Sequence, residues 1–172
     1  LSPYFPDAFG SDSGKAVFTD PGPGSSPSDR PLLLVTDDTS ACVHAVRIWP
    51  QITHLGAVAD FLDEFVPTSI ACKGTVLAVL CSRGDATRIN VFTGSRASWT
   101  RTRVISKPPI PSPSINEFRI RGLTVAWVSE FPGPVIVCAF GPTLVFLCPV
   151  TGTPLKVQPL TTSYSVLSMP TR

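Results

Sequence analysis

The stretch Leu32-Leu33-Leu34-Val35-Thr36-Asp37, followed by a short polar loop and then Val43-His44-Ala45-Val46-Arg47-Ile48, decides the fold class of this chain. The first segment is an apolar run of strand length. The second segment alternates apolar and polar residues, which is typical of a strand with one buried face. Two strands joined by so short a loop predict an antiparallel hairpin.

The same strand-loop-strand pattern occurs twice more along the chain. Residues 76–81 lead into residues 88–92, and residues 135–140 lead into residues 144–147. A hairpin unit that recurs about every 40 residues is typical of the blades of a β-propeller. We therefore expect an all-β chain that forms a partial β-propeller of about three blades of antiparallel strands.

The composition supports this fold class and excludes several others. The 172 residues include 19 prolines and 12 glycines, which suits short strands separated by turns. The hydrophobic fraction of 43% argues against bulk disorder, and the net charge of +2 is too small to indicate a nucleic-acid or anionic-membrane protein. The longest apolar run, residues 135–150, is interrupted by Gly141-Pro142 and is too short to cross a bilayer, so no membrane span is predicted.

The chain contains an odd number of cysteines, and no pair of them has CxxC spacing. Four of the five lie in or beside apolar strands, where a thiol behaves as a small hydrophobe. This usage predicts a reduced, intracellular and cytoplasmic compartment, with a buried strand disulfide as the alternative. The cysteines are Cys42, Cys72, Cys81, Cys138 and Cys148.

The chain divides into three blade-like units with irregular segments around them. The units are predicted at residues 15–58, 59–106 and 115–157. We expect a disordered lead-in at residues 1–14, a proline-rich connector at 107–114 and a flexible tail at 158–172. One helical turn is expected at residues 60–65. The predicted core residues are Leu34, Val35, Ile70, Val79, Val91, Phe92, Val137 and Phe146.

Several of these segments resemble the repeats of one known protein family. Arg30-Pro31-Leu32-Leu33-Leu34-Val35-Thr36-Asp37 resembles a blade of an NHL-repeat β-propeller, and so does Val66-Pro67-Thr68-Ser69-Ile70-Ala71 followed by Arg88-Ile89-Asn90-Val91-Phe92. The resemblance covers residues 15–157. The aspartate that ends the apolar strand in this family is kept only at Asp37, because Leu80-Cys81 and Ala139-Phe140 replace it in the other units. The resemblance therefore implies divergent blades.

Three blades are fewer than the four to eight with which propellers usually close. Three explanations are compatible with this number. The chain is part of a larger propeller, it pairs with a second copy as a homodimer of six blades, or it is a truncated relative. The sequence begins at Leu1 rather than at a methionine, which suits a fragment or a processed chain.

No motif indicates nucleophilic or phosphate-binding chemistry, so we predict no catalytic residue, no metal site and no cofactor. His44 and His54 are ten residues apart and lack a cysteine or glutamate at metal-ligand spacing. They are interpreted as a strand histidine and a loop histidine. Asp37 and Asp38 are interpreted as turn residues.

One basic segment is a candidate site for anions or RNA. Arg96, Trp99, Arg101, Arg103 and Lys107 fall within twelve residues. In a regular strand, Trp99, Arg101 and Arg103 would share one face, and arginines beside an aromatic ring can hold phosphates while the ring stacks on bases. The alternative is an outer strand with arginines in water and Trp99 covering its neighbour.

The leading functional hypothesis is a non-catalytic interaction scaffold whose blade loops bind a protein partner. RNA binding through the basic strand is one alternative. Another is the remnant of a ligand-binding or enzymatic six-bladed propeller with a site in the central channel. Only Asp37, Asn90 and Glu130 are candidates for that channel site.

Overall fold

The computed structural model describes residues 15–19, 30–37, 42–60, 65–106, 120, 122–140 and 142–160. Over these residues the chain is all-β, with twelve strands and no helix. The strands are β1 (Ala16–Phe18), β2 (Leu33–Asp37), β3 (Cys42–Arg47), β4 (Thr53–Asp60), β5 (Val66–Lys73), β6 (Val76–Arg83), β7 (Ala86–Ser95), β8 (Ser98–Ile105), β9 (Gly122–Trp127), β10 (Pro134–Phe140), β11 (Thr143–Leu147) and β12 (Pro154–Pro159).

These strands form three antiparallel sheets of four strands each. The first sheet holds β1 to β4, the second β5 to β8 and the third β9 to β12, and within each sheet every strand is hydrogen-bonded to its neighbours in sequence. The three hairpins expected from the sequence are confirmed as β2–β3, β6–β7 and β10–β11. The all-β fold class is therefore confirmed.

Several predicted segments fall outside the described residues. They include the lead-in at 1–14, the connector at 107–114 and residues 161–172 of the tail predicted at 158–172. The start of that tail is described, and its residues Gln158 and Pro159 belong to strand β12. The predicted helical turn at 60–65 is only partly described. Its first residue, Asp60, is the last residue of strand β4, and residues 61–64 lie outside the description.

The second sheet packs against both of the others, and strand β6 shows this most clearly. Alternate β6 side chains enter two different cores. Val76, Ala78 and Leu80 pack with residues of the third sheet, whereas Leu77, Val79 and Cys81 pack with residues of the first. A strand buried on both faces needs an uninterrupted apolar run, and this explains why residues 76–81 contain no polar side chain.

The sheets follow one another in chain order. Strand β1 packs against β5, and β5 packs against β9, so the first strands of adjacent sheets are in contact. The last strands of the first and second sheets, β4 and β8, are also in contact. Each sheet is thus a meander whose first strand lies beside the first strand of its neighbour.

Six of the eight predicted core residues are buried, and two are not. Val137 and Phe146 are only half-buried, so their assignment to the core was wrong. The residues adjacent to them face the second sheet instead, because strand faces alternate. Those buried residues are Ile136, Cys138, Val145 and Leu147.

All five cysteines are described, and none forms a disulfide bond. Burial raises the pKa of the Cys81 thiol to about 11, although a hydrogen bond from Asn90 partly opposes this rise. Burial also raises the pKa of the Cys138 thiol, to about 12. Cys148 differs, because partial burial raises its pKa but hydrogen bonds from Thr151 and Val150, together with the charge of Arg103, outweigh this effect and lower it. Among the described residues, no helix has the length and apolar character needed to cross a membrane.

Candidate functional site

The predicted basic segment forms the edge strand β8 and the turn before it. Trp99 is only 8% exposed and packs in the core between the first and second sheets. Its indole Nε1 donates a hydrogen bond of 2.7 Å to the carbonyl oxygen of Arg96. Trp99 therefore covers its neighbours and does not present its ring to a ligand.

A β-bulge separates the arginines of this strand. Arg101 pairs with Phe92 and Arg103 pairs with Val91, so Thr102 is an extra residue in β8. Because consecutive residues of β7 point to opposite faces, Arg101 and Arg103 also lie on opposite faces. The expectation that Trp99, Arg101 and Arg103 share one face was wrong.

Arg103 instead links the second and third sheets. Its Nε donates a 2.8 Å hydrogen bond to the carbonyl oxygen of Val150, in the turn between β11 and β12. Gly152 of the same turn lies so close that an added Cβ would be 2.9 Å from the Arg103 Cδ. Arg103 thus has a structural contact, and Lys107 lies outside the described residues.

Arg96 contributes to a different feature, which we call the arginine–tryptophan cleft. This open cleft of about 290 Å³ lies where the first sheet meets the turn between β7 and β8. Arg30 precedes strand β2, whereas Arg47, Trp49 and Pro50 lie at the end of β3 and in the loop after it. The residues that line the cleft are Arg30, Pro31, Leu32, Arg47, Trp49, Pro50 and Arg96.

The cleft combines positive charge with an exposed apolar loop. The Arg30 guanidinium lies 4.8 Å from the centre of the Trp49 ring, a cation–π contact that leaves Trp49 57% exposed. Ile48 and Ile52 in the same loop are also exposed. Arginine and tryptophan beside apolar side chains are the residue types enriched at binding hot spots.

A second polar feature lies on the first sheet. The His44 Nε2 is 3.1 Å from the Cys42 Sγ and 3.4 Å from the Asp37 Oδ2, and the three atoms lie within 4.8 Å of one another. On the other side of the ring, His44 Nδ1 is 2.8 Å from His54 Nε2. His54 lies in strand β4, so its interpretation as a loop histidine was wrong.

A bulge between β3 and β4 brings His54 next to His44. Ala45 pairs with Gly56 but Val46 pairs with His54, so Leu55 is an extra residue. Without the bulge His54 would face the other side of the sheet. With it, Leu55 packs into the core towards the second sheet, and His54 joins His44 on the opposite face.

The three candidates for a central-channel site are not brought to a common place. Asn90 is fully buried within the second sheet, where its Nδ2 donates to the Cys81 Sγ at 3.4 Å and its Oδ1 has no partner among the described residues. Glu130 forms an exposed ion pair with Lys156 at 2.9 Å. Asp37 belongs to the face of the first sheet that points away from Asn90.

Comparisons with known protein families, with curated proteins and with solved structures find no match to this chain.

Proposed function

We propose that this chain is a non-catalytic interaction scaffold, built as divergent NHL-like propeller blades, that binds an acidic segment of a protein partner in the arginine–tryptophan cleft. Two kinds of observation support the proposal. One concerns the scaffold, and the other concerns the chemistry of the cleft.

The stacking of the sheets supports the propeller part of the proposal. Three meanders follow one another in chain order, with their first strands in contact and with apolar cores between neighbours. Blades of a propeller have this arrangement around a central channel. Closure of the ring then requires further blades, from a longer chain or from a second copy. A solution mass near twice 18.3 kDa by light scattering would indicate a dimer, in which a second copy of the chain supplies the further blades.

The single observation that carries the binding proposal is the Arg30–Trp49 pair with Arg47 beside it in one cleft. A guanidinium group presents a planar set of donors that matches a carboxylate in a bidentate way. A guanidinium–carboxylate interaction provides no apolar contact. The exposed indole of Trp49, with Ile48 and Ile52 in the same loop, offers that contact. Together these groups fit a peptide segment in which Asp or Glu neighbours a large apolar residue.

The same observations favour a protein over RNA. The net charge is +2, Trp99 is buried, and the β8 bulge divides the arginines that would have tracked a phosphate backbone. The cleft volume of about 290 Å³ is also just below the usual range for small-molecule pockets, and it suits one or two side chains of a partner.

The test is a selection of peptides from a random displayed library against the full chain, followed by calorimetric titration with the enriched peptide. We expect enriched peptides to carry acidic residues beside an aromatic or aliphatic residue. Trp49→Ala should weaken binding about 30-fold, the effect of losing a hot-spot side chain worth about 2 kcal/mol. Arg47→Glu should weaken it further, because it reverses a charge in the cleft.

Matched control variants are available in the same chain. Trp127 is a half-exposed tryptophan of the third sheet, and Arg83 is an exposed arginine at the end of β6. Trp127→Ala and Arg83→Glu should leave peptide binding unchanged. Equal effects of the cleft and control variants, or no acidic enrichment, would refute the site. If the chain bound single-stranded RNA, and Arg47→Glu but not Arg83→Glu abolished that binding, the cleft would be reassigned to nucleic acid.

A further inference from the structure

We propose that Asp37, Cys42 and His44 form a binding site for a divalent transition-metal ion of the zinc class. In this site, His54 orients His44 from the side opposite the metal. The site is independent of the arginine–tryptophan cleft and of the partner proposed for it.

The donor atoms lie close to the spacing that such an ion requires. Zinc bonds of about 2.0–2.3 Å in a tetrahedral arrangement place neighbouring ligand atoms roughly 3.3–3.7 Å apart. The distance from His44 Nε2 to Asp37 Oδ2 is 3.4 Å, and that from His44 Nε2 to Cys42 Sγ is 3.1 Å. All three atoms lie within 4.8 Å of one another, so small movements of these side chains would complete a three-ligand site.

The scaffold holds these ligands in place. Asp37 and Cys42 are directly opposite each other in the β2–β3 hairpin, and His44 follows two residues later on the same face of β3. Three ligands from one hydrogen-bonded hairpin need little rearrangement to bind an ion. Cys42 is buried, and the side chains of His44 and Asp37 are 13% and 15% exposed, so an ion here would be largely shielded from water.

The contact with His54 fits the way in which metal-binding histidines are usually supported. If Nε2 of His44 binds the ion, the ring proton must be on Nδ1. That nitrogen is 2.8 Å from His54 Nε2, which can accept the proton's hydrogen bond. A second group that fixes the tautomer and orientation of a ligand histidine typically changes metal affinity by about 10- to 100-fold.

The donor set selects the class of ion. One thiolate, one imidazole and one carboxylate suit zinc and similar transition metals, whereas calcium and magnesium prefer an all-oxygen set. Three protein ligands leave the fourth position of a tetrahedral ion for water or for an external ligand.

The experiment is a titration of the metal-free full chain with Co²⁺, followed by absorption spectroscopy, and with Zn²⁺, followed by calorimetry. We expect one ion per chain and a thiolate-to-cobalt charge-transfer band. Asp37→Asn and His44→Gln should abolish tight binding, and Cys42→Ser should remove the thiolate band. His54→Gln should weaken binding about 10- to 100-fold without abolishing it.

Two control variants separate this site from other thiols and from the cleft. Cys148→Ser removes the one cysteine that is not fully buried, and Trp49→Ala alters the cleft. Both should bind the ion like the unaltered chain. Absence of uptake by the unaltered chain, or uptake that Asp37→Asn leaves unchanged, would overturn the proposal. Asp37→Asn remains a decisive variant even where Cys42→Ser does not fold, because circular dichroism shows independently whether the Asp37→Asn protein is folded.

Discussion

Replacing Val79 by aspartate tests whether the first and second sheets share a core. Val79 is fully buried in β6, between Ile70 of β5 and Asn90 of β7, and it packs in the cluster that joins the two sheets. Removing its two methyl groups costs about 1.6 kcal/mol at about 0.8 kcal/mol per group. A carboxyl group kept neutral there at pH 7 must have its pKa raised about three units, which adds about 4 kcal/mol.

The sum of about 6 kcal/mol is comparable to the lower end of the roughly 5–15 kcal/mol by which domains are usually stable, so Val79→Asp should be largely unfolded at pH 7. The pH dependence has a definite sign. A carboxyl whose pKa is raised by folding binds more protons when folded, so the part of the destabilisation that comes from its ionisation is small near pH 4 and grows as the pH rises, whereas the cost of the lost methyl groups stays constant. Val79→Asn has nearly the same shape and does not titrate, so the difference between the two variants should grow by up to about 1.4 kcal/mol per pH unit.

The assay is urea unfolding followed by circular dichroism between pH 4 and pH 7. Val104→Asp is the positional control, since Val104 lies on the edge strand β8 and is 42% exposed. Its unfolding midpoint should change little. The face assignment of β6 would be refuted if Val79→Asp matched Val104→Asp, or if the Asp and Asn variants differed by the same amount at every pH.

Two further predictions concern a close backbone approach and a reactive thiol. Gly94→Ala should lower the Tm by roughly 6–12 °C, because the new methyl group would collide with the backbone of the paired strand β8 and cost up to about 3 kcal/mol; Gly84→Ala, which meets open space at a φ of +57°, should lower it by only about 2–4 °C. Calorimetric melting of both variants checks this, and equal shifts would contradict it. Iodoacetamide at pH 7 should modify Cys148 well before Cys138, because the thiolate of Cys148 forms at a lower pH than in an ordinary cysteine whereas burial raises the pKa of Cys138 to about 12. Peptide mass spectrometry gives the two rates, and preferential labelling of Cys138 would show that the third sheet is not packed as described.

The strand pattern was predictable wherever the sequence marks both ends of a strand. Polar or turn residues bound the runs at 32–37, 76–81 and 135–140, and each run is a strand. The phase of the third unit was not predictable in the same way. Residues 135–140 are apolar throughout, so alternation could not show which face meets the second sheet, and Val137 was assigned to the wrong one.

The sites depended on features that a regular strand pattern does not contain. The bulge at Thr102 moved Arg103 to the face opposite Arg101, and the bulge at Leu55 brought His54 to His44. Gly56, whose φ is +104°, was the available signal, since an isolated glycine within a strand often marks a bulge. The arginine–tryptophan cleft needed the packing of two sheets, which no local pattern specifies.

The restriction of strand pairing to sequence neighbours within each sheet has a consequence for how the chain opens. The main contacts between sheets join consecutive sheets, so the described part of the molecule behaves as a one-dimensional stack in which each layer is stabilised by the layers next to it. The second sheet has a neighbour on each face, whereas the first and third each have one. Opening should therefore proceed from the two ends of the stack towards β6, whose amide protons would exchange with solvent last.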